Sequence, residues 1–599
     1  MADTSDLLGN AFGIKDPAAF TRNITKALEE AGQALAAYLK PREGAELNLG
    51  QNLAEVIGTL NAIAAYWTGD STRLMQAQQR LATSYFGLWM YAVQRLGGLP
   101  AAPPVEPAPG DKRFADAEWG SNLAFDVIKQ FYLLTARWAQ DIVNEADIDE
   151  HTRQKAAFYV RQIMAALAPS NFVMTNPELL RQTLAENGAN LVRGMAMLAE
   201  DIRAGGGALR LRQSDGTQFK LGENLATTPG KVIHQNELCQ LIQYEATTAK
   251  VLKRPLLIVP PWINKFYILD LTAEKSFIRW AVEQGHTVFV ISWVNPDERQ
   301  ANKSFEDYMR AGILESLDVI ASATGVRDVN AIGYCVGGTL LMVTLAYMAT
   351  TSDKRIKTAT LFAAQIDFTY AGDLKVFVDE EQIGALERDM SVRGYLEGSK
   401  MATAFNMLRP NDLIWPYVIS NYLKGKQPSP FDLLYWNSDT TRMPAANHSF
   451  YLRGCYLDNK LSRGEMEIGG VKLDLKKVKV PTYTLATRED HIAPARSAFF
   501  GASFLGGKTT FVLAGSGHIA GVVNPPSRQK YQYWTGPAPK GDGYSQWLTK
   551  AKDHPGSWWP HWQKWVAAAE PTRVKARVIG GGKIKPIENA PGSYVKVHV

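Results

Sequence analysis

"VNAIGYCVGGTLLMVTLAYMA", residues 329–349, sets Cys335 among glycines where a short apolar run gives way to a long one. Gly333-Tyr334-Cys335-Val336-Gly337 has the G-x-nucleophile-x-G form, follows a strand-like run and opens a helix-like one. That is the context of a nucleophile elbow. The flanking glycines permit a tight, strained turn, because side chains there clash with the neighbouring strand and helix. At a helix N-terminus the thiol meets the positive end of the dipole, which favours thiolate. The backbone N–H of Val336 is placed to stabilise an oxyanion. The bland alternative is a small apolar filler in a core.

On either side of this turn, apolar strands alternate with helices. "ELCQLIQYEA" (237–246), "RPLLIVPPWIN" (254–264) and "HTVFVISWVN" (286–295) precede it. Helical "TAEKSFIRWAVEQG" (272–285) lies between the last two, and "SFEDYMRAGILESLDVIASATG" (304–325) between the third and the elbow strand. "KTATLFAAQID" (357–367) and "VPTYTLATRED" (480–490) follow. This pattern predicts a parallel sheet buried on both faces. The stretch of about 110 residues between the last two strands exceeds a plain loop, so a cap is expected over about 369–478. Its "LIWPYVISNYL" and "FDLLYWN" suit a lid covering an acyl chain, and equally a small subdomain with its own core.

The first 205 residues read as a helical domain. Leu53, Val56, Ile57, Leu60, Ile63 and Trp67 recur at helix spacing, Asp70 with Ser71 offers a cap, and Ile128, Phe131, Leu134, Trp138 and Ile142 form a second apolar face. "GLPAAPPVEPAPGDK" (98–112) reads as an extended linker, and "AGGGALRLR" (204–212) as the boundary to a second domain over 206–599.

A nucleophile needs a base and the base an orienting acid. In an α/β-hydrolase fold they follow in the order nucleophile, acid, histidine, each after a strand. Asp490 stands just past the 480–490 strand, and His518 past "TTFVLA" in a glycine-rich loop. His151, His234, His286, His448, His554, His561 and His598 lack that context, and His491 is a decoy beside Asp490. The second oxyanion donor is expected in "PPWIN", at Ile263 with Trp262 next; the alternative is that Pro260 and Pro261 simply end the strand.

A chain of 599 residues, 46% hydrophobic and 21% charged, reads as an ordinary globular protein of two or more domains. A net charge of +6 does not suggest nucleic acid binding but suits an anionic small substrate. "MADTSDLLGNAFGIKD" has no secretory pattern, no apolar run reaches about 18 residues, and three scattered cysteines imply no disulfide framework or metal site. The expectation is a cytoplasmic protein with no membrane span and no metal. No P-loop or dinucleotide-type glycine loop is present, so the sequence does not show which residues grip a phosphate.

"GYCVGG", "PPWINKFYILDL", "ISWVNPD", "LRPNDLIWPYV", "FDLLYWN", "REDHI", "SGHIAGVVNPP" and "HPGSWWPHW" resemble the signatures of class I polyhydroxyalkanoate synthases, also called poly(3-hydroxyalkanoate) polymerases. The likeness runs from about residue 112 to the C-terminus, and the valine of "GYCVGG" suits the short-chain class. The resemblance implies an acyltransferase that polymerises (R)-3-hydroxyacyl-CoA, releases coenzyme A as part of its substrate, and needs no separate cofactor. It implies Cys335 as acyl carrier, His518 as base, and Asp490 as an assistant to His518 or to the substrate hydroxyl. It further implies a homodimer at the surface of polyester granules. A thiolate exchanges with a thioester in a near-balanced reaction and keeps the acyl group activated, whereas a serine ester would favour hydrolysis. The rivals are a depolymerase or thioesterase on the same fold, and a non-catalytic granule-coat protein binding through its N-terminal helices and "WWPHWQKW". The basic "VKARVIGGGKIKP" reads as a granule or phosphate contact, or as a solvated terminus.

Overall fold

The computed structural model describes residues 14–39 and 49–598. The opening segment read above as lacking a secretory pattern lies largely outside the described residues, and so does the side chain of Leu53. The chain forms two compact units: one up to Asp215 together with Asn406–Ser429, and one of Gly216–Phe405 with Pro430–Val599. The stretch expected as one cap is therefore divided, and its "LRPNDLIWPYV" segment packs mainly within the first unit.

In the first unit, polar caps start the helices as their sequences dictate. Asp70 accepts from the backbone N–H groups of Thr72 (2.8 Å) and Arg73 (3.2 Å) at the head of Ser71–Leu96. Ile63 and Trp67 join Ala77, Val143 and Ala156 in a core, but Ile57, expected on that face, is half exposed. On Leu123–Asn144 the expected apolar face is only partly right. Phe131 is 50% exposed, while Asp126, Lys129 and Gln130 are buried. Most of these polar atoms are paired, the Gln130 Nε2 being an exception. Asp126 meets Arg95 and Lys129, both at 3.0 Å, and Gln130 accepts the N–H of Val105 at 2.9 Å. The proline-rich linker is thus held in place as extended chain.

The second unit is built on a mixed sheet of eleven strands. In chain order they are β1 (Gly230–Gln235), β2 (Cys239–Tyr244), β3 (Leu256–Val259), β4 (Val288–Trp293), β5 (Val329–Tyr334), β6 (Ile356–Phe362), β7 (Thr482–Thr487), β8 (Thr509–Ala514), β9 (Gln532–Thr535), β10 (Lys552–Pro555) and β11 (Glu588–Asn589). Their order across the sheet is β10-β9-β8-β7-β6-β5-β3-β4-β2-β1-β11. The six central strands, β3 to β8, run parallel. Alternate residues feed two separate cores, Leu257, Val259, Phe289 and Ile291 on one face and Leu256, Ile258, Val288 and Val290 on the other. That is why β3 and β4 read as nearly unbroken apolar runs. β2 was expected in the parallel set, but it pairs antiparallel with β4.

Two helical features depart from the sequence expectation. The 304–325 helix carries a π-helical segment at Tyr308–Leu314. Within it, Gly312 faces the Trp293 ring so closely that a Cβ would lie 2.3 Å from it. "WWPHWQKW" is not a surface patch. Trp558, Trp559 and Trp562 are fully buried against Phe277 and Phe362. That removes the C-terminal half of the granule-coat reading. No described helix is long and apolar enough to cross a membrane, and no group of metal-binding side chains occurs among the described residues.

Candidate active site

β5 runs straight into the helix Val336–Thr350, and the junction residue is Cys335 at φ 52°, ψ −128°. A non-glycine residue in that region is strained and persists only where its surroundings force it. Here three glycines do so. A Cβ on Gly333 would lie 2.4 Å from the Gly338 Cα, one on Gly337 2.3 Å from the Val259 carbonyl oxygen, and one on Gly338 2.4 Å from the Ala364 Cβ. Strand, turn and helix thus approach more closely than side chains allow. Cys335 donates its N–H to the Phe362 carbonyl at 2.9 Å and stays half-buried, whereas Cys239 and Cys455 are fully buried. Burial pushes the Cys239 thiol up to about 12 and raises Cys455 further.

Asp490 and His518 follow β7 and β8. His518 Nδ1 lies 2.7 Å from Asp490 Oδ2. The same carboxylate accepts the Thr487 hydroxyl (2.9 Å) and the N–H groups of Ile492 (2.9 Å) and Ala493 (2.8 Å). Burial alone would raise the carboxyl, but the His518 charge and these hydrogen bonds hold it below the usual carboxylate range. Burial would likewise depress His518. The charges of Asp490 and Cys335, with the hydrogen bond to Asp490, outweigh it and push the imidazole up to about 10. With Nδ1 committed to the carboxylate, Nε2 is the nitrogen left for the sulfur.

The loop that carries His518 is fixed from behind. Tyr334 stacks on the imidazole at 5.6 Å and donates to the His518 carbonyl at 3.1 Å. Trp558 and Trp559 donate their indole N–H groups to the carbonyls of Gly521 (2.8 Å) and Val522 (2.9 Å). Sequence reading missed these supports, because an aromatic cluster carries no mark of what it faces.

An apolar cavity of about 240 Å³ opens on Cys335 and is lined by Val336, Ile263, Tyr451, Tyr456, Ile492 and Ala493, among others. The two expected oxyanion residues, Val336 and Ile263, both border it. Trp262, the second choice, does not. It is buried against Trp293, Phe305 and Tyr308. The loop after β3 is more than a strand end, since Thr441 donates to the carbonyls of Trp262 (2.5 Å) and Ile263 (2.7 Å). A buried Lys265–Asp439 pair at 2.6 Å holds the next residues. His491 is half-buried and does not line the cavity.

Residues 110–281 match the family described as the N-terminus of poly-beta-hydroxybutyrate polymerase (PhaC), and residues 255–525 match the alpha/beta hydrolase fold. The poly(3-hydroxyalkanoate) polymerase subunit PhaC of Rhizobium meliloti is 60% identical over 98% of this chain and 96% of its own. The poly(3-hydroxyalkanoate) polymerase of Methylorubrum extorquens is 58% identical over 96% of this chain and 97% of its own. The poly(3-hydroxyalkanoate) polymerase subunit PhaC of Cupriavidus necator is 40% identical over 92% and 93%. The first two alignments reach into the first hundred residues, further than the motifs quoted above.

Proposed function

The chain belongs to the poly(3-hydroxyalkanoate) polymerase family and polymerises hydroxyalkanoates; from that premise we propose that it takes (R)-3-hydroxyacyl groups from coenzyme A through a thioester on Cys335. The observation that carries this reading is a sulfur on a strained turn that borders an apolar cavity, with a His518 imidazole, hydrogen-bonded to buried Asp490, near enough to feel the sulfur's charge. In the first half-reaction the sulfur attacks the thioester carbonyl. Charge on the oxygen falls between the N–H groups of Val336 and Ile263, and coenzyme A leaves with the proton of His518. The imidazole, now neutral, takes the proton of a 3-hydroxyl, whose oxygen attacks the Cys335 thioester. An ester forms, and the sulfur returns as thiolate beside imidazolium. The apolar walls exclude water, which would otherwise divert the acyl group to hydrolysis.

The cavity is smaller than the ~300–1,000 Å³ common for ligand sites, which favours short acyl units and the class I assignment. Supplied with 3-hydroxybutyryl-CoA beside longer homologues, the protein is expected to release thiol fastest from the short substrate. The product should be polymer. Free hydroxy acid instead would favour the thioesterase reading.

For the assembly, the proposal is a homodimer on the polyester granule. Phe86, Trp89, Met90, Val93 and Leu96 recur at helical spacing on Ser71–Leu96 and are all exposed, an apolar stripe suited to a polyester surface. The double variant Phe86→Glu/Trp89→Glu is expected to stay in the supernatant when wild type sediments with polymer. Sedimentation velocity of both proteins reads the dimer. Equal partition would remove the stripe from the proposal.

A further inference from the structure

The cavity wall is mostly hydrocarbon, and its polar side chains are nearly all committed within the protein. Thr339 donates to the Gln365 carbonyl at 2.7 Å, Gln365 donates to Ser497 at 3.0 Å, and Lys400 meets Asp389 at 2.7 Å. His448 differs. It lines the cavity, is 2% exposed, and its Nδ1 is buried with no hydrogen-bond partner. An unpaired buried nitrogen is costly, and such groups call for an explanation. Nothing charged acts on this imidazole. Burial alone pushes it down to about 4, so it is neutral at working pH and serves as a hydrogen-bonding group, not as a charge or a strong base.

His448 and Cys335 both line this one cavity. His448 belongs to Ala445–Tyr451, and Tyr451 and Leu452, three and four residues on, line the same cavity. Tyr451 lies close enough to feel the charge of Cys335 after the larger effects of burial and Tyr456. An acyl group on Cys335 brings only two polar features into this space: the carbonyl, which belongs at the oxyanion donors, and a hydroxyl on its third carbon.

Resting on the reading of Cys335 as acyl carrier, we propose that His448 hydrogen-bonds the 3-hydroxyl of the bound acyl group and thereby selects hydroxylated over plain acyl thioesters. A site built to pair a hydroxyl rejects the analogue that lacks it, because its own polar group is then left unpaired.

Single-turnover coenzyme A release from 3-hydroxybutyryl-CoA and from butyryl-CoA tests this. Wild type is expected to favour the hydroxylated substrate by about tenfold or more. His448→Phe should collapse that ratio towards one, and His448→Asn, which sets an amide near Nδ1, should restore part of it. A phenylalanine variant that keeps the wild-type ratio would overturn the proposal. Failure of wild type to acylate Cys335 with either substrate would instead sink the underlying reading. If the variants acylate with neither, wild-type protein labelled with ¹⁵N in histidine decides. A non-transferable thioether analogue bearing the hydroxyl should shift one neutral imidazole Nδ1 resonance, and its deoxy counterpart should not. Equal spectra would also overturn the assignment.

Discussion

Cys335→Ala is expected to release no coenzyme A above background, a loss of about 10⁴-fold or more by comparison with nucleophile deletions in other triads. No other thiol can stand in. Cys239 and Cys455 are both fully buried, and burial raises the pKa of each thiol, to about 12 for Cys239. A chromogenic disulfide reads the released thiol, and circular dichroism reports whether the variant still folds. Cys335→Ser separates nucleophilicity from carrier chemistry. A hydroxyl taking the acyl group would hold it as an oxygen ester, whose transfer to another hydroxyl lacks the thioester's driving force. Slow acylation without polymer is the expected outcome there. Normal turnover by the alanine variant would remove the sulfur from the mechanism altogether.

What could be read in advance follows from which physical constraints are local. The central strands β3 and β4 were legible because burial on both faces leaves them almost free of polar residues. β10, Lys-Asp-His-Pro, and β11, Glu-Asn, were not, because edge strands with solvated side chains look like loops. Strand direction was also invisible. β2 is as fully buried as the parallel strands β3 and β4, and only the pairing with β4 shows that it runs the other way. Cys335, Asp490 and His518 were legible because each stands just after a strand, in a fixed order along the chain. The allegiance of Asn406–Ser429 to the first unit was not, since it depends on packing between segments some 200 residues apart, as where Asn190 reaches the Leu423 carbonyl. His448 was set aside for lacking a strand-then-loop context. Its interest lies in what its neighbours leave unpaired, which no spacing records.

Asp490→Asn is expected to cost roughly 10⁴-fold in turnover, the scale set by the equivalent change in a serine protease triad, with the fold intact. The amide nearly preserves shape but removes the charge that holds Nδ1–H and stabilises the imidazolium. Its second signature is a pH profile. His518 sits at about 10 in the folded protein against an ordinary 6.5. Its contribution to stability is therefore complete below about pH 6.5 and is lost as pH rises through about 10. The depressed Asp490 carboxyl contributes above its ordinary 3.8, and that contribution is lost as pH falls through its lower folded value. Removing the carboxylate pulls the imidazole back towards its ordinary range. Melting curves of the variant should then lose their dependence on pH between 7 and 10 and flatten on the acid side. The same coupling bears on the reaction. Once the sulfur carries an acyl group it no longer supplies negative charge, so part of what keeps His518 protonated disappears when a base for the incoming hydroxyl is needed. If Asp490→Asn kept the wild-type dependence of both melting and turnover on pH, the carboxylate would have no hold on the imidazole, and that account of how the base is switched on would fail.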